Sequence, residues 1–224
     1  MQKKYSILFV ILASVFTVSL IVSNIIAGKL WAAPFGIVLT CGVFLFPIVY
    51  IIGDVVPECY GLSTARKVIW LGFAMNLYAV IFFYLTMKAA YPPFFENQPA
   101  FEAVLGFTPR LLVASFVAYL IGTNANAWTL VLIKKWTKGK FLWMRTIGST
   151  IVGESLDSFV FILIAFYGIL PNEALAPMIM YQASFKILYE IIATPITYLV
   201  VGWVKKQEGI TSVPDAPERF AASS

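Results

Sequence analysis

The chain has 224 residues, of which 60% are hydrophobic and only 12% are charged, with no histidine and a net charge of +5. Soluble domains carry about 25% charged residues, so this chain has too few charges to cover a surface that faces water. The composition excludes an ordinary soluble enzyme, a disordered chain, a disulfide scaffold and any site built on histidine, and it predicts a protein of the lipid bilayer.

Six stretches of the chain are apolar enough to cross a membrane, which takes ~20 residues per helix. They are separated by breaks that contain proline, glycine and charge, and they cover residues 5–27, 35–52, 68–87, 111–133, 146–170 and 179–204. We expect an all-α membrane protein with one six-helix transmembrane domain, residues 1–206, and a flexible cytoplasmic tail, residues 207–224. The first apolar run is longer than the ~7–15 residues of a signal peptide, so we expect a retained helix.

The basic residues predict the orientation of these helices, because positive charge is enriched in cytoplasmic loops. Only three basic residues fall on one side, at positions 29, 88 and 110, and Lys186 lies inside a span. The opposite side carries twelve: Lys3, Lys4, Arg66, Lys67, Lys134, Lys135, Lys138, Lys140, Arg145, Lys205, Lys206 and Arg219. We expect a multi-pass protein of the bacterial inner membrane with both termini in the cytoplasm. The positive charge then reflects topology, and we expect no nucleic-acid partner.

The second span contains Pro47, which would free a backbone carbonyl and kink the helix. After this span, Asp54, Glu58 and Arg66 fall at the predicted cytoplasmic boundary. These residues are either a charged turn or a cytoplasmic gate in which Asp54 or Glu58 pairs with a nearby base.

The longest external loop, residues 88–110, contains a short helix signal. Asn97 can cap a helix, Pro99 suits its first turn, and Gly106 would end it. We expect a short helix at the outer membrane surface, serving either as a connector or as a lid.

The fourth span carries a polar stripe at roughly helical spacing, and the first span adds Asn24. The stripe contains Arg110, Ser115, Tyr119, Gly122 and Asn126. Such residues either line a polar interior or allow close packing and hydrogen bonding between helices.

Four charged residues lie inside the last two spans: Glu154, Asp157, Lys186 and Glu190. Each costs roughly 2.5–3.5 kcal/mol at the centre of a bilayer, and such residues usually face a partner or a cavity. Their spacings of three and four residues place each pair on one helix face. We therefore predict one cluster near the midplane that either binds substrate or clamps the helices together.

The charge of this cluster is unbalanced, because three acids face one lysine. Either Arg110 or Arg145 reaches into the cluster, or some of the acids hold protons, since burial disfavours a charged carboxylate.

Several motifs are absent from the sequence, including a GxxxxGK[ST] phosphate loop, an HExxH helix, a CxxC pair and a GxSxG elbow. We expect no ATP motor in this chain, no cofactor or metal, and no enzyme activity.

Read together, these residues resemble the queuosine-precursor transporters of the vitamin-uptake-transporter-like family. The resemblance extends from residue 23 to about residue 204. It rests on the order and spacing of Ser23-Asn24, Phe46-Pro47, the Asp54 to Gly61 segment, Ala65-Arg66-Lys67, Thr108-Pro109-Arg110, Ala114-Ser115, Ala118-Tyr119, the Gly153 to Ser158 segment, Ala165-Phe166, the Lys186 to Glu190 segment and Thr194-Pro195.

The resemblance implies a six-span carrier that imports 7-deazaguanine bases, such as preQ0, preQ1 or queuine, for tRNA modification. A carboxylate can accept two donors from the guanine-like edge, so Glu154 or Asp157 is the expected acceptor. Lys186 or Asn24 could donate to the ring carbonyl. The aromatic candidates for stacking on the base, which could equally pack against helices or lipid, are Phe46, Tyr119 and Phe161.

Two transport mechanisms and two other classes of protein stay open at this point. The carrier would work by facilitated diffusion or with a coupled ion. The alternative is the substrate-binding subunit of an energy-coupling-factor importer, which needs a separate ATPase partner. A membrane enzyme comes third. The sequence also leaves the oligomeric state open, a homodimer included.

Overall fold

The computed structural model describes residues 6–137 and 142–210, apart from the side chains of residues 142, 143, 145 and 146. Seven α-helices and one β-hairpin follow one another in these ranges: α1 (Ile7–Ile26), β1 (Leu30–Ala33), β2 (Ile37–Thr40), α2 (Phe46–Tyr60), α3 (Leu62–Lys88), α4 (Gln98–Leu105), α5 (Thr108–Trp136), α6 (Leu142–Phe166) and α7 (Asn172–Glu208). Six helical segments of the described chain are long and apolar enough to cross a membrane. The prediction of an all-helical six-span protein is confirmed.

The second span begins later than predicted, because residues 30–40 form a hairpin instead of the start of a helix. Strands β1 and β2 pair antiparallel with Leu30 opposite Thr40 and Ala33 opposite Ile37. The turn places Phe35 and Gly36 at positive φ, 64° and 75°, a conformation that ends regular structure. A run of β-branched residues after this turn favours a strand. The apolar helical segment then extends over Cys41–Tyr60.

Pro47 does not kink α2, so this expectation was wrong. It lies in the first turn of the helix. A backbone N–H at this position would have no acceptor within the helix, so a proline there costs no hydrogen bond. Residues 53–60, predicted as a boundary turn, are helical. The chain reverses at Gly61, whose φ of 89° is readily available only to glycine.

The short helix predicted within residues 88–110 is confirmed as α4. Pro99 lies in its first turn and Gly106 follows its last residue. The Gln98 side chain is buried and donates to the backbone carbonyl of Met87 at 3.5 Å, which ties α4 to the end of α3. At the other end of the chain, α7 reaches Glu208, while most of the predicted flexible tail, residues 211–224, lies outside the described residues.

Helices α5 and α6 pack closely because glycines meet at their interface. A Cβ atom on Gly122 would stand 2.8 Å from the Cβ of Asp157, and one on Gly153 would stand 2.8 Å from the Cβ of Asn126. Small residues let two backbones approach in a membrane, where apolar side chains gain nothing by leaving lipid. This contact fixes the position of Asp157 relative to α5.

The described residues form separate apolar cores at the two ends of the bundle. One core lies beside the hairpin and consists of Ala27, Leu111, Ala114, Ala118, Phe161, Ile162, Ala165, Phe166, Leu175 and Met178. A smaller core at the opposite end joins α2 to α7 and consists of Val55, Cys59, Val201 and Val204. Large apolar side chains such as Leu199 and Tyr198 point outward, as expected for helices that face lipid. A third core packs α1 against α2 and α3.

Candidate functional site

A cavity of about 350 Å³ lies inside the bundle. Its wall is built by residues of α1, β2, α2, α3, α5, α6 and α7, so every described spanning helix contributes. Eleven of the residues that the sequence analysis named for a site, the polar stripe or a gate line it: Asn24, Phe46, Asp54, Ser115, Tyr119, Gly122, Asn126, Glu154, Asp157, Phe161 and Lys186. The volume is within the range of ~300–1,000 Å³ that is typical of small-molecule sites.

Lys186 is the central charge of this cavity, and only 6% of the residue is exposed. Its Nζ forms an ion pair with Oδ2 of Asp157 and lies 3.5 Å from Oε2 of Glu154. The ring of Phe46 lies on another side, with its centroid 5.0 Å from the same nitrogen. The predicted cluster of Glu154, Asp157 and Lys186 is therefore present.

The cluster lies far from the ends of its helices. Glu154 is the thirteenth of the 25 residues of α6, and Lys186 is the fifteenth of the 37 residues of α7. A buried charge this far from bulk water needs partners to offset the loss of hydration. Each carboxylate offers such a partner to the ammonium group.

Tyr50 holds Glu154 in place and was not predicted from the sequence. Its hydroxyl donates to Oε2 of Glu154 at 2.8 Å, and its ring centroid lies 6.0 Å from that of Phe46. The two rings are four residues apart on α2 and therefore share a helix face. This spacing from Phe46 is the signal that could have identified Tyr50.

The two ends of the cavity differ in burial. At the hairpin end, the lining residues Asn24, Thr40 and Gln182 are buried. At the opposite end, Asp54 and Thr123 also line the cavity, but they are exposed. The cavity is thus closed beside the hairpin and accessible from the end where α2 and α5 terminate.

The chain matches a known family of membrane transporters over most of its length. Residues 40–200, more than two thirds of the chain, match the sequence model of the family described as "Putative vitamin uptake transporter". The chain belongs to this family. Six helices that can span a membrane and a central cavity are consistent with membership in a family of transporters.

Two curated relatives carry a more specific description. A protein of Bacillus subtilis (strain 168), named "Probable queuosine precursor transporter", is 28% identical over 177 residues, which cover 78% of this chain and 76% of the relative. The "Queuosine precursor transporter" of Escherichia coli (strain K12) is 26% identical over 165 residues, 74% of this chain and 71% of that protein. No solved structure matches the transporter.

Glu190 lies near the cluster but does not join its ion pair. Its Oε1 accepts a hydrogen bond of 3.2 Å from Thr150 of α6, and it is not among the residues that line the cavity. The spacing of four residues from Lys186 placed Glu190 one turn further along α7.

Arg110, one of the two arginines that could have reached into the cluster, does not do so. Its Nε donates to the carbonyl oxygen of Ile164 at 2.6 Å, and its Nη2 donates to that of Tyr167 at 2.5 Å. Carbonyls at the end of a helix lack partners within that helix. Arg110 supplies hydrogen-bond donors to two such carbonyls at the end of α6. The side chain of Arg145 lies outside the described residues.

The predicted gate residues are not brought together. Asp54 lines the cavity, whereas Glu58 forms an ion pair of 2.7 Å with Lys205 of α7. Arg66 borders a separate cavity of about 60 Å³ beside Trp70. Of the two acids that a gate would pair with a base, Glu58 has such a partner, and this base comes from α7.

Gln182 and Thr40 also line the cavity and were missed. Gln182 stands four residues before Lys186 in the predicted sixth span, so its helical spacing was a usable signal. Thr40 could not be placed from the sequence, because it fell within a predicted helix and belongs to β2.

Proposed function

We propose that the transporter imports queuosine precursors, which are 7-deazaguanine bases such as preQ0, preQ1 or queuine, across the bacterial inner membrane. The observation that carries this proposal is the Lys186 ion-pair cluster on the wall of a cavity of about 350 Å³. The names of the relatives in Bacillus subtilis and Escherichia coli support the same class of substrate.

The chemistry of the cluster suits a guanine-like edge. This edge offers a ring N–H and an amino group as adjacent donors, which one carboxylate can accept together, and a carbonyl acceptor beside them. In our proposal Glu154 or Asp157 accepts the two donors, and Lys186 or Asn24 donates to the carbonyl. Substrate binding would replace part of the contact between Lys186 and its acids.

Aromatic side chains around the cavity supply surfaces for a flat heterocycle. Phe46, Phe73, Tyr119 and Phe161 all line it. Stacking of a base on an aromatic ring contributes ~1–3 kcal/mol. Because Phe46 also contacts the ammonium group of Lys186, a base stacked there would lie next to the proposed hydrogen-bonding groups.

We infer that the accessible end of the cavity faces the cytoplasm. The helix ends on that side carry Lys134, Lys135, Lys205 and Lys206, and positive charge marks the cytoplasmic side. Both described ends of the chain then point to the cytoplasm. Transport would require a second state in which the hairpin end opens and the cytoplasmic end closes, as alternating access demands.

Uptake of labelled preQ1 or queuine into liposomes that contain only this purified protein tests the proposal. We expect accumulation that saturates with substrate concentration and is absent from empty liposomes. Binding without flux, converted into flux only by an added ATPase partner, would support the energy-coupling-factor alternative. Neither binding nor flux of any 7-deazaguanine would overturn the proposed function.

The same liposomes distinguish facilitated diffusion from ion coupling. Among the described residues, the cavity is lined by three acids, Asp54, Glu154 and Asp157, and by one base, Lys186. A surplus acid that binds a proton with the substrate would couple the two movements. A proton-sensitive dye inside the liposomes should then report acidification when preQ1 is added, whereas uptake without acidification would indicate no proton coupling.

A further inference from the structure

The closed end of the cavity contains two buried carboxamides with unused hydrogen-bonding capacity. Gln182 of α7 is 1% exposed and Asn24 of α1 is 6% exposed, and both line the cavity. Thr40 donates to Oε1 of Gln182 at 3.3 Å, which leaves the amide nitrogen of Gln182 for another partner. Within residues 6–137 and 142–210, no side-chain hydrogen bond is made by Asn24 or by this nitrogen.

The two carboxamides border the cavity, so their free hydrogen-bonding groups face the space that a substrate would occupy. A buried polar group without a partner costs about 1–3 kcal/mol, and the large majority of buried polar side chains in proteins are hydrogen-bonded. Both amides lie on the wall of the cavity, so a bound molecule can satisfy them. Their side chains offer N–H donors together with carbonyl acceptors that can take further hydrogen bonds.

The position of Gln182 relative to Lys186 sets the size of such a molecule. The two residues are four apart on α7, which corresponds to a rise of ~6 Å along the helix. A flat bicyclic heterocycle has a similar length. One edge of it can lie at Lys186 and Glu154 while the opposite edge reaches Gln182 and Asn24.

In a 7-deazaguanine the edge opposite the carbonyl and ring N–H contains N3, an acceptor, and N9–H, a donor. A carboxamide matches this pair, because its nitrogen can donate to N3 while its oxygen accepts from N9–H. We infer that Gln182 and Asn24 bind this N3/N9–H edge at the closed end, which leaves Lys186 as the donor to the ring carbonyl. The transporter therefore admits the free base and rejects molecules substituted at N9, nucleosides included. This inference rests on the proposed function and adds a specificity-determining pair to it.

Two physical effects produce the discrimination. A substituent on N9 removes the donor and leaves the amide oxygen unpaired in a buried site. It also needs space at the end of the cavity where Asn24, Thr40 and Gln182 are all buried. Loss of a hydrogen bond that leaves a buried group unsatisfied weakens binding by about tenfold or more.

Competition in liposomes tests this inference. The labelled substrate is preQ1, and the competitors are unlabelled preQ1 and its 9-methyl derivative. For the wild-type transporter we expect the 9-methyl compound to compete at least about tenfold more weakly than preQ1. Gln182→Met keeps the length of the side chain. In this variant competition by preQ1 should weaken by about tenfold, while competition by the 9-methyl compound should change little, so that the two compounds compete about equally.

Gln98→Met is the matched control, because Gln98 is also buried but lies on α4 outside the cavity. It should retain the wild-type preference for preQ1. Equal competition by both compounds in the wild-type protein would overturn the inference and leave the proposed function intact, whereas absence of any preQ1 transport would overturn the proposed function. If Gln182→Met weakened competition by both compounds equally, the inference about the N3/N9–H edge would also be overturned. If Gln182→Met does not fold, the wild-type competition still decides whether substitution at N9 is rejected.

Discussion

Lys186 of α7 and Asp157 of α6 form an ion pair on the wall of the cavity, and Glu154 lies 3.5 Å from the same ammonium group. The pair joins two helices and also faces the space that a substrate would occupy. We therefore expect it to have two separable roles, one in the stability of the helix packing and one in the proposed substrate binding. The first prediction separates them.

Glu154→Gln should abolish uptake of preQ1 while the protein still inserts and folds. Glutamine has the shape of glutamate, and its oxygen can still accept from Tyr50, so the packing is retained and Lys186 keeps its contact with Asp157. The variant loses the charged acceptor proposed for the guanine-like edge. Uptake into liposomes and thermal unfolding are the two measurements.

Lys186→Ala should abolish uptake and also lower stability, by up to about 3 kcal/mol, because two partly buried carboxylates lose their counter-charge. In the double variant Lys186→Met with Asp157→Asn, we expect the part of this stability that was lost through Asp157 to return without any uptake. Lys88→Ala provides the control, since Lys88 lies at the end of α3 and outside the cavity. Normal transport by both Glu154→Gln and Lys186→Ala would rule out a role of the cluster in transport.

Tyr50→Phe tests whether the orientation of Glu154 matters. The substitution removes only the hydroxyl that donates to Glu154 at 2.8 Å, and a hydrogen bond to a charged group contributes about 1.5–3 kcal/mol. We expect uptake to fall by about tenfold or more, with the ring still packed against Phe46. Tyr78→Phe on the exposed surface of α3 should transport normally. Wild-type uptake by Tyr50→Phe would show that Glu154 needs no such support.

The sequence was sufficient to predict the cluster, but not all of the chain that surrounds it. Glu154, Asp157 and Lys186 could be predicted because charge inside an apolar span needs a partner. The hairpin could not, since an apolar run such as 35–52 suits a buried strand as well as a helix. The position of the Arg110 side chain could not be predicted either, because its acceptors are backbone carbonyls at the end of α6 and just after it, which no sequence pattern marks.

Two glycine substitutions should change stability in opposite directions. Gly122→Ala would place a Cβ atom 2.8 Å from the Cβ of Asp157 and 3.0 Å from the backbone oxygen of Gly153. We expect α5 and α6 to move apart, at a cost of about 1–3 kcal/mol, and uptake to fall because Asp157 moves with α6. Gly202→Ala meets no atom within 4 Å and should stabilise α7 by up to about 1 kcal/mol. Thermal unfolding in detergent compares the two, and equal stability in both would contradict the proposed close contact.

The ion pair between Glu58 and Lys205 should act on transport and little on stability. Both side chains are partly exposed, so the pair contributes only about 0–1 kcal/mol. It lies at the accessible end of the bundle, where α2 and α7 must change their contact if that end closes. We expect Glu58→Lys to reduce uptake several-fold through repulsion and the exchange of both charges, Glu58→Lys with Lys205→Glu, to restore it. Glu58→Lys with Lys206→Glu is the control, and equal rescue by it would show that only net charge matters.

Cysteine labelling tests the orientation of the bundle. Phe94, before α4, is 85% exposed, and Trp136, at the end of α5, is 79% exposed, so these positions lie at opposite ends of α5. The two native cysteines, Cys41 and Cys59, are buried and free, which keeps the background low. In spheroplasts a membrane-impermeant maleimide should label Phe94→Cys, whereas Trp136→Cys should react only after the membrane is permeabilised. The reverse pattern would place the basic helix ends outside, and the accessible end of the cavity would then face away from the cytoplasm.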